Sequence, residues 1–166
     1  MTYKQILNIN GQTETEYGPE FQKHLFEQYK LYIEMADRIS ARRMLANSFF
    51  IGIHTALITA FCIMLKEGIL MKTVIGSIPF IPVVLLSYVW WRIVYSYRQL
   101  NSGKYKVIAM IEKRLPLALY DAEWEILGKG RNPKLYRPLT HVENWVPLLF
   151  GLLYLLLVVA LWCQPK

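Results

Sequence analysis

Residues 18–44 read GPEFQKHLFEQYKLYIEMADRISARRM, and residues 45–65 continue LANSFFIGIHTALITAFCIML. The first part is polar with an apolar stripe. The second has no charge between Arg43 and Lys66. No Gly-Pro break separates them, and Pro19 suits the first turn of a helix. Together they predict one helix that begins in water and ends in a membrane. At about 1.5 Å per residue the element is roughly 70 Å long, whereas a bilayer core needs about 30 Å. In the polar part Phe21, Leu25, Tyr29, Tyr32, Ala36 and Ile39 recur at spacings of three and four, an amphipathic stripe. Such a stripe needs a partner, either the 104–127 segment or the same helix in another copy.

The surrounding chain agrees with a membrane protein. Of 166 residues 54% are hydrophobic, and mean hydropathy is +0.24. The apolar residues gather in three blocks, about 45–65, 73–95 and 145–163, each close to the roughly 20 residues that span a bilayer. A small soluble domain could not bury three such helices on all sides. Four regions follow: a cytoplasmic arm and amphipathic helix at 1–44, two spans with a short external turn at 45–95, a cytoplasmic helical segment and basic loop at 96–144, and a third span with an external tail at 145–166. The expected class is all-α, with three transmembrane helices and a helical cytoplasmic body.

The formal net charge is +7, and its placement decides its meaning. Arg38, Arg42 and Arg43 precede the first span, and the 96–144 connection carries nine Lys and Arg between Arg98 and Arg137. The external turn has Lys66 and Lys72, and the tail has Lys166. The positive-inside rule puts the N-terminus and the 96–144 segment in the cytoplasm and the C-terminus in the periplasm. Cys62 and Cys163 lie within spans and imply neither disulfide nor metal. No cleavable signal precedes the first span, because the leading residues are polar and acidic.

The first span carries two contrasting faces. Ser48, Gly52, Ala56 and Ala60 fall at four-residue steps, a small-residue face that lets another helix approach closely. On the opposite side Asn47 and His54 sit seven residues apart. A polar pair in a span is costly unless it faces protein or water. Its readings are interhelical hydrogen bonding, or lining or gating a pore with Arg42 and Arg43 at the cytoplasmic mouth. In the second span Pro79 and Pro82 favour a bend. Tyr88, Trp90, Trp91, Tyr95 and Tyr97 read as an interfacial aromatic belt. Beyond it, Tyr105, Ile108, Ile111 and Leu115 form a helical stripe, Pro116 interrupts it, and LALYDAEWEIL reads as a short helix stopped by Gly128 and Gly130.

There is no glycine-rich phosphate loop, metal-ligand cluster or nucleophile elbow, and no cofactor is implied. One chemical pattern bears testing. HEPN-type ribonucleases present an Arg followed by a His after four to six residues. Arg137 to His141 leaves three residues between, Arg131 reaches Tyr136 at the right length, and Arg131 to His141 is too long. Arg131, Arg137 and His141 are the catalytic candidates of that reading.

The phrases EQYKLYIEMADRISARRMLANSFF, SYRQLNSGKYKVIAMIEKRLP and YDAEWEILGKG through VENWVP resemble the RipA-like family of small bacterial inner-membrane proteins that assemble as octamers. The resemblance covers about Phe21 to Phe150. The family includes the pore-like accessory proteins of type VI RNA-targeting CRISPR systems. The resemblance implies a ring of eight copies, an inner-membrane location and antiviral defence through lost membrane integrity, with an RNA-guided RNA nuclease as functional partner. The expected function is thus a non-enzymatic homo-oligomeric pore without direct nucleic-acid binding. The alternatives are a membrane-tethered divergent HEPN-type ribonuclease and a non-catalytic scaffold.

Overall fold

The computed structural model describes residues 13–69, 74–136 and 142–163. All regular structure among them is helical. A short α1 (Glu14–Tyr17) leads into α2 (Phe21–Lys66), the long element. Next come α3 (Val74–Ser77) and α4 (Phe80–Glu112). Then follow α5 (Leu119–Ile126), a 3₁₀ turn (Gly128–Gly130) and α6 (Val146–Cys163). Three helices are long and apolar enough to cross a membrane: α2, α4 and α6.

α2 is unbroken from the polar into the apolar half, and it has 46 residues. α4 differs from the sequence expectation at both ends. Pro79 and Pro82 stand where the helix is interrupted between α3 and α4, and they start the long piece. Pro79 takes the N-cap position and Pro82 lies in the first turn, where the missing N–H has no helical partner to lose. At the other end α4 does not stop where the aromatic belt ends but runs on to Glu112, giving 33 residues. The change from apolar to basic composition near residue 96 alters what the helix faces, not whether it is helical. α6, with 18 residues, is roughly 27 Å long and just spans the bilayer core. α2 and α4 therefore project well beyond it.

The two long helices run antiparallel and meet along a seven-residue repeat. α4 buries Phe80, Ser87, Val94, Asn101 and Ile108 on one register, and Val83, Trp90 and Lys104 on the other. α2 buries Tyr29, Ala36 and Phe50 on one register, and His54 and Phe61 on the other. A repeat of seven keeps a seam facing its partner over many turns, as in a coiled coil.

Three apolar clusters lie along this seam. At the end away from the apolar spans Tyr29, Ala36 and Ile108 pack with Tyr32, Ile33, Ile111, Leu115 and Tyr120. The α2 stripe thus finds its partner in the same chain. Midway along the seam Phe50, Trp90 and Val94 pack with Val146 and Phe150. At its other end Phe61, Leu65, Phe80 and Val83 meet Tyr154 and Leu161 of α6.

Candidate functional site

The membrane part of the seam is built around His54. Its ring has no exposed surface in the protomer. It stacks on Trp90 at 5.4 Å between centroids, and Phe150 and Tyr154 flank it at 5.4 and 5.6 Å. The Nδ1 of His54 lies 2.9 Å from the Tyr154 hydroxyl oxygen, and the same hydroxyl donates to the His54 carbonyl at 3.2 Å. A hydroxyl has one proton to give. Both contacts are satisfied together when Nδ1–H donates to the phenol and the phenol donates to the carbonyl. That leaves Nε2 as an acceptor, buried without a hydrogen-bond partner among the described residues.

Two turns toward the N-terminus of α2, Asn47 Oδ1 accepts the indole N–H of Trp90 at 2.9 Å. Trp90 is fully buried, so it does not belong to the interfacial belt in which its sequence neighbours placed it. An indole N–H in an apolar interior needs an acceptor, and Asn47 supplies it. Asn47 and His54 therefore do not stand free on a helix surface. Each is held by a partner within the chain, one on α4 and one on α6.

One turn further, at the inner end of the span, Arg43 Nε lies 3.3 Å from Glu143 Oε2, with both side chains largely covered. This ion pair ties α2 to the entrance of α6. Arg42, its neighbour, is exposed. The two arginines, expected to act together at a pore mouth, thus play different parts within the protomer.

The polar contacts continue above the membrane. Asn101 donates to Ser40 Oγ at 3.0 Å, and the Lys104 ammonium sits 4.4 Å over the Tyr32 ring. Glu112, almost fully buried, ends the series. It accepts the Tyr29 hydroxyl at 2.7 Å and the backbone N–H groups of Tyr120 and Asp121 at 3.0 and 3.3 Å. Those N–H groups belong to the first turn of α5, whose N-cap residue, Ala118, has no side chain to satisfy them. A carboxylate there is also favoured by the helix dipole. Burial, then the hydrogen bond to Glu112 and its charge, hold the Tyr29 hydroxyl above its ordinary pKa. Burial does the same for Tyr120.

The other faces are bare. Ser48, Gly52, Ala56 and Ala60 are exposed in the protomer. A Cβ built on Gly52 meets no atom within 4 Å. Arg131 is exposed beyond the Gly128–Gly130 turn, where Lys129 has φ 55°. Arg137 and His141 lie outside the described residues.

Sequence reading missed the partners rather than the polar pair. Tyr154 carries the one phenol in an apolar run, VPLLFGLLYLLLVVALWC, and that was the available signal. Glu112 follows Ile108 by four on the α4 stripe. Nothing in the sequence marks Glu143 as the partner of Arg43.

The arrangement is a set of polar joints between helices, closed within one protomer. Such joints cost little to separate if water replaces the lost partner, and much if lipid does.

Compared with known proteins, the chain matches the model of the Octameric membrane protein family (8xMP) over residues 26–163. No curated protein and no solved structure matches it. The match covers all three spans and the segments between them, and the chain belongs to this family.

Proposed function

We propose that this member of the Octameric membrane protein family assembles as a ring of eight copies in the bacterial inner membrane and lowers the membrane's barrier to ions. In this reading the N-terminus is cytoplasmic and the C-terminus periplasmic, and the protein acts as an antiviral effector beside an RNA-guided RNA nuclease. The family description supports the octamer. The placement of Lys and Arg supports the orientation. The three long phrases that resemble the RipA-like family, which includes type VI accessory proteins, support the defensive role.

The observation that carries the permeability reading is the pair of joints inside the membrane, Asn47 to Trp90 and His54 to Tyr154, each 2.9 Å. In a ring these contacts recur in every copy. Parting α2 from α4 and α6 turns each residue toward water and makes a belt of polar side chains at two levels, one way a pore admits ions. Asn47 and His54 are then gating residues: hydrogen-bonded when the path is closed, hydrated when it is open. Arg43 and Glu143 close the same seam at its cytoplasmic end, and Arg42 offers a positive charge to the mouth.

The test is ion flux through liposomes containing the purified protein. The wild-type chain dissipates a potassium gradient, and His54→Leu, which cannot be hydrated, assembles yet suppresses the flux. A wild-type assembly that leaves the gradient intact overturns the reading.

A further inference from the structure

α2 carries a second seven-residue repeat on the face away from α4. Leu31, Arg38, Leu45, Gly52 and Thr59 form one register, and Met35, Arg42, Phe49, Ala56 and Ile63 the other. All ten residues are exposed in the protomer, with Leu45 at 72% and Leu31 at 60%. The first repeat of α2 is fully used by its own chain. The second has the same period, is apolar or small at eight of ten positions, and is left exposed by the rest of the protomer.

Lipid covers only part of this stripe. Leu31 and Met35 precede Met44, where the uncharged span begins, by roughly 13 to 20 Å of helix. They stand in water, yet they continue the line that Leu45 and Phe49 follow in the membrane. The line is interrupted only by Arg38 and Arg42, next to the membrane edge; an apolar line that resumes on both sides of that edge fits a protein partner running alongside, and the family supplies one in a further copy of this chain.

The structure also offers the opposing surface. In a membrane ring every copy inserts the same way up, so the axis lies along the membrane normal. Interfaces that close a ring join two different patches, and here the two must lie at one height. Glu112 fixes α5 beside Tyr29 by binding both Tyr29 and the first turn of α5. It therefore places Leu119 at the height of Leu31, two residues from Tyr29. α5 exposes Leu119, Trp124 and Ile126, the last at 76%. Within α5 the charged residues are Asp121, Glu123 and Glu125, all acidic, whereas α2 between Lys30 and Arg43 is basic on balance.

From these observations we infer that the outer repeat of α2 is the contact between copies, and that above the membrane it seats α5 of the neighbouring copy, Leu31 and Met35 against Leu119 and Ile126. The inference rests on the ring assembly proposed above and specifies how its members touch.

Two copies with different tags, one Leu31→Cys and one Leu119→Cys, are co-expressed with Cys62 and Cys163 replaced by Ala, and treated in membranes with a short bis-maleimide. Particle mass is measured on the same sample. Both substituted side chains are exposed, so the fold is not at stake, and Met35→Cys with Ile126→Cys provides a second pair. The expected result is a cross-link joining the two tags within a particle of several copies. A particle of several copies in which neither pair cross-links overturns the inference and leaves the assembly standing. A monomeric particle overturns the assembly itself, and the inference with it.

Discussion

Glu112 and Tyr29 are 83 positions apart in the chain and meet at 2.7 Å in a place almost closed to water. The carboxylate is shared by three helices: it ends α4, receives the hydroxyl of α2 and caps α5. A buried charge is tolerated when its hydrogen-bonding capacity is filled, and here a phenol and two backbone N–H groups fill it. The carboxylate thereby fixes α5 to the hairpin, beside the packing of Tyr120 on Tyr29, Ala36 and Ile108.

Glu112→Ala removes that point. Hydrogen bonds to a charged group contribute about 1.5–3 kcal/mol each, but the freed groups regain water, so the net loss is expected on the order of 3 kcal/mol. Hydrogen exchange should rise across residues 119–126 and stay unchanged across 80–95. Uniform protection in both segments would show that α5 is held by other contacts.

Alkaline pH should loosen the same end. The folded-state pKa of Tyr29 is raised above the ordinary 10.0. Its contribution to stability is therefore complete below pH 10.0 and disappears as pH climbs through the raised folded value. Tyr120 shifts the same way. Melting curves of the purified protein taken from neutral pH upward should fall above 10.0, and more shallowly for Tyr29→Phe. Parallel curves for the two proteins would refute the assignment.

In the membrane, Asn47→Leu leaves the Trp90 indole N–H without its acceptor. Interhelical hydrogen bonds in bilayers average about 0.6 kcal/mol and reach about 1.7. A double-mutant cycle with Trp90→Phe should return a coupling in that range. Zero coupling would mean that the 2.9 Å contact adds nothing to the packing around it.

Gly52→Leu separates the fold of one chain from the association of several. No atom of the protomer lies within 4 Å of a Cβ added at Gly52, and leucine favours a helix over glycine by somewhat under 1 kcal/mol. Helical content should be unchanged. If copies pack on this face, overpacking costs about 1–3 kcal/mol at each contact, and the particle should fall apart or change size. An unchanged mass would assign Gly52 to lipid.

Orientation is read by fusions. A periplasmic reporter placed after Lys166 should be active, and one placed after Lys134 silent. The reverse pattern would invert the protein in the membrane and move the Glu112 clamp to the other side.

The outline of the fold was legible in the sequence because membrane spans declare themselves by local composition. Three apolar blocks, and an α2 without a helix breaker, give the class and the long element directly. The extent of α4 was not legible. Its residues change from Leu and Val to Lys and Tyr near position 96, and composition divides what the backbone joins. Asn47 and His54 stood out for the same local reason: they are polar where neighbours are not. Their partners lie 43 and 100 residues away, and a spacing rule cannot reach across separate helices. Trp90 illustrates the limit. Among Tyr88, Trp91 and Tyr95 it looks like an interfacial aromatic, and only the seven-residue phase of α4 turns it inward.

The unbroken run of α4 from Phe80 to Glu112 makes the protein a lever. Between Trp90, packed on His54, and Glu112, which grips α5, lie roughly 33 Å of continuous helix. A stiff rod pivoting at Trp90 through about 10° moves its far end by roughly 6 Å, about one helical turn. A push on the α5 end, by a neighbouring copy or a docking protein, would thus arrive at the membrane as a small rotation with mechanical advantage, delivered to the level where aromatic rings enclose His54.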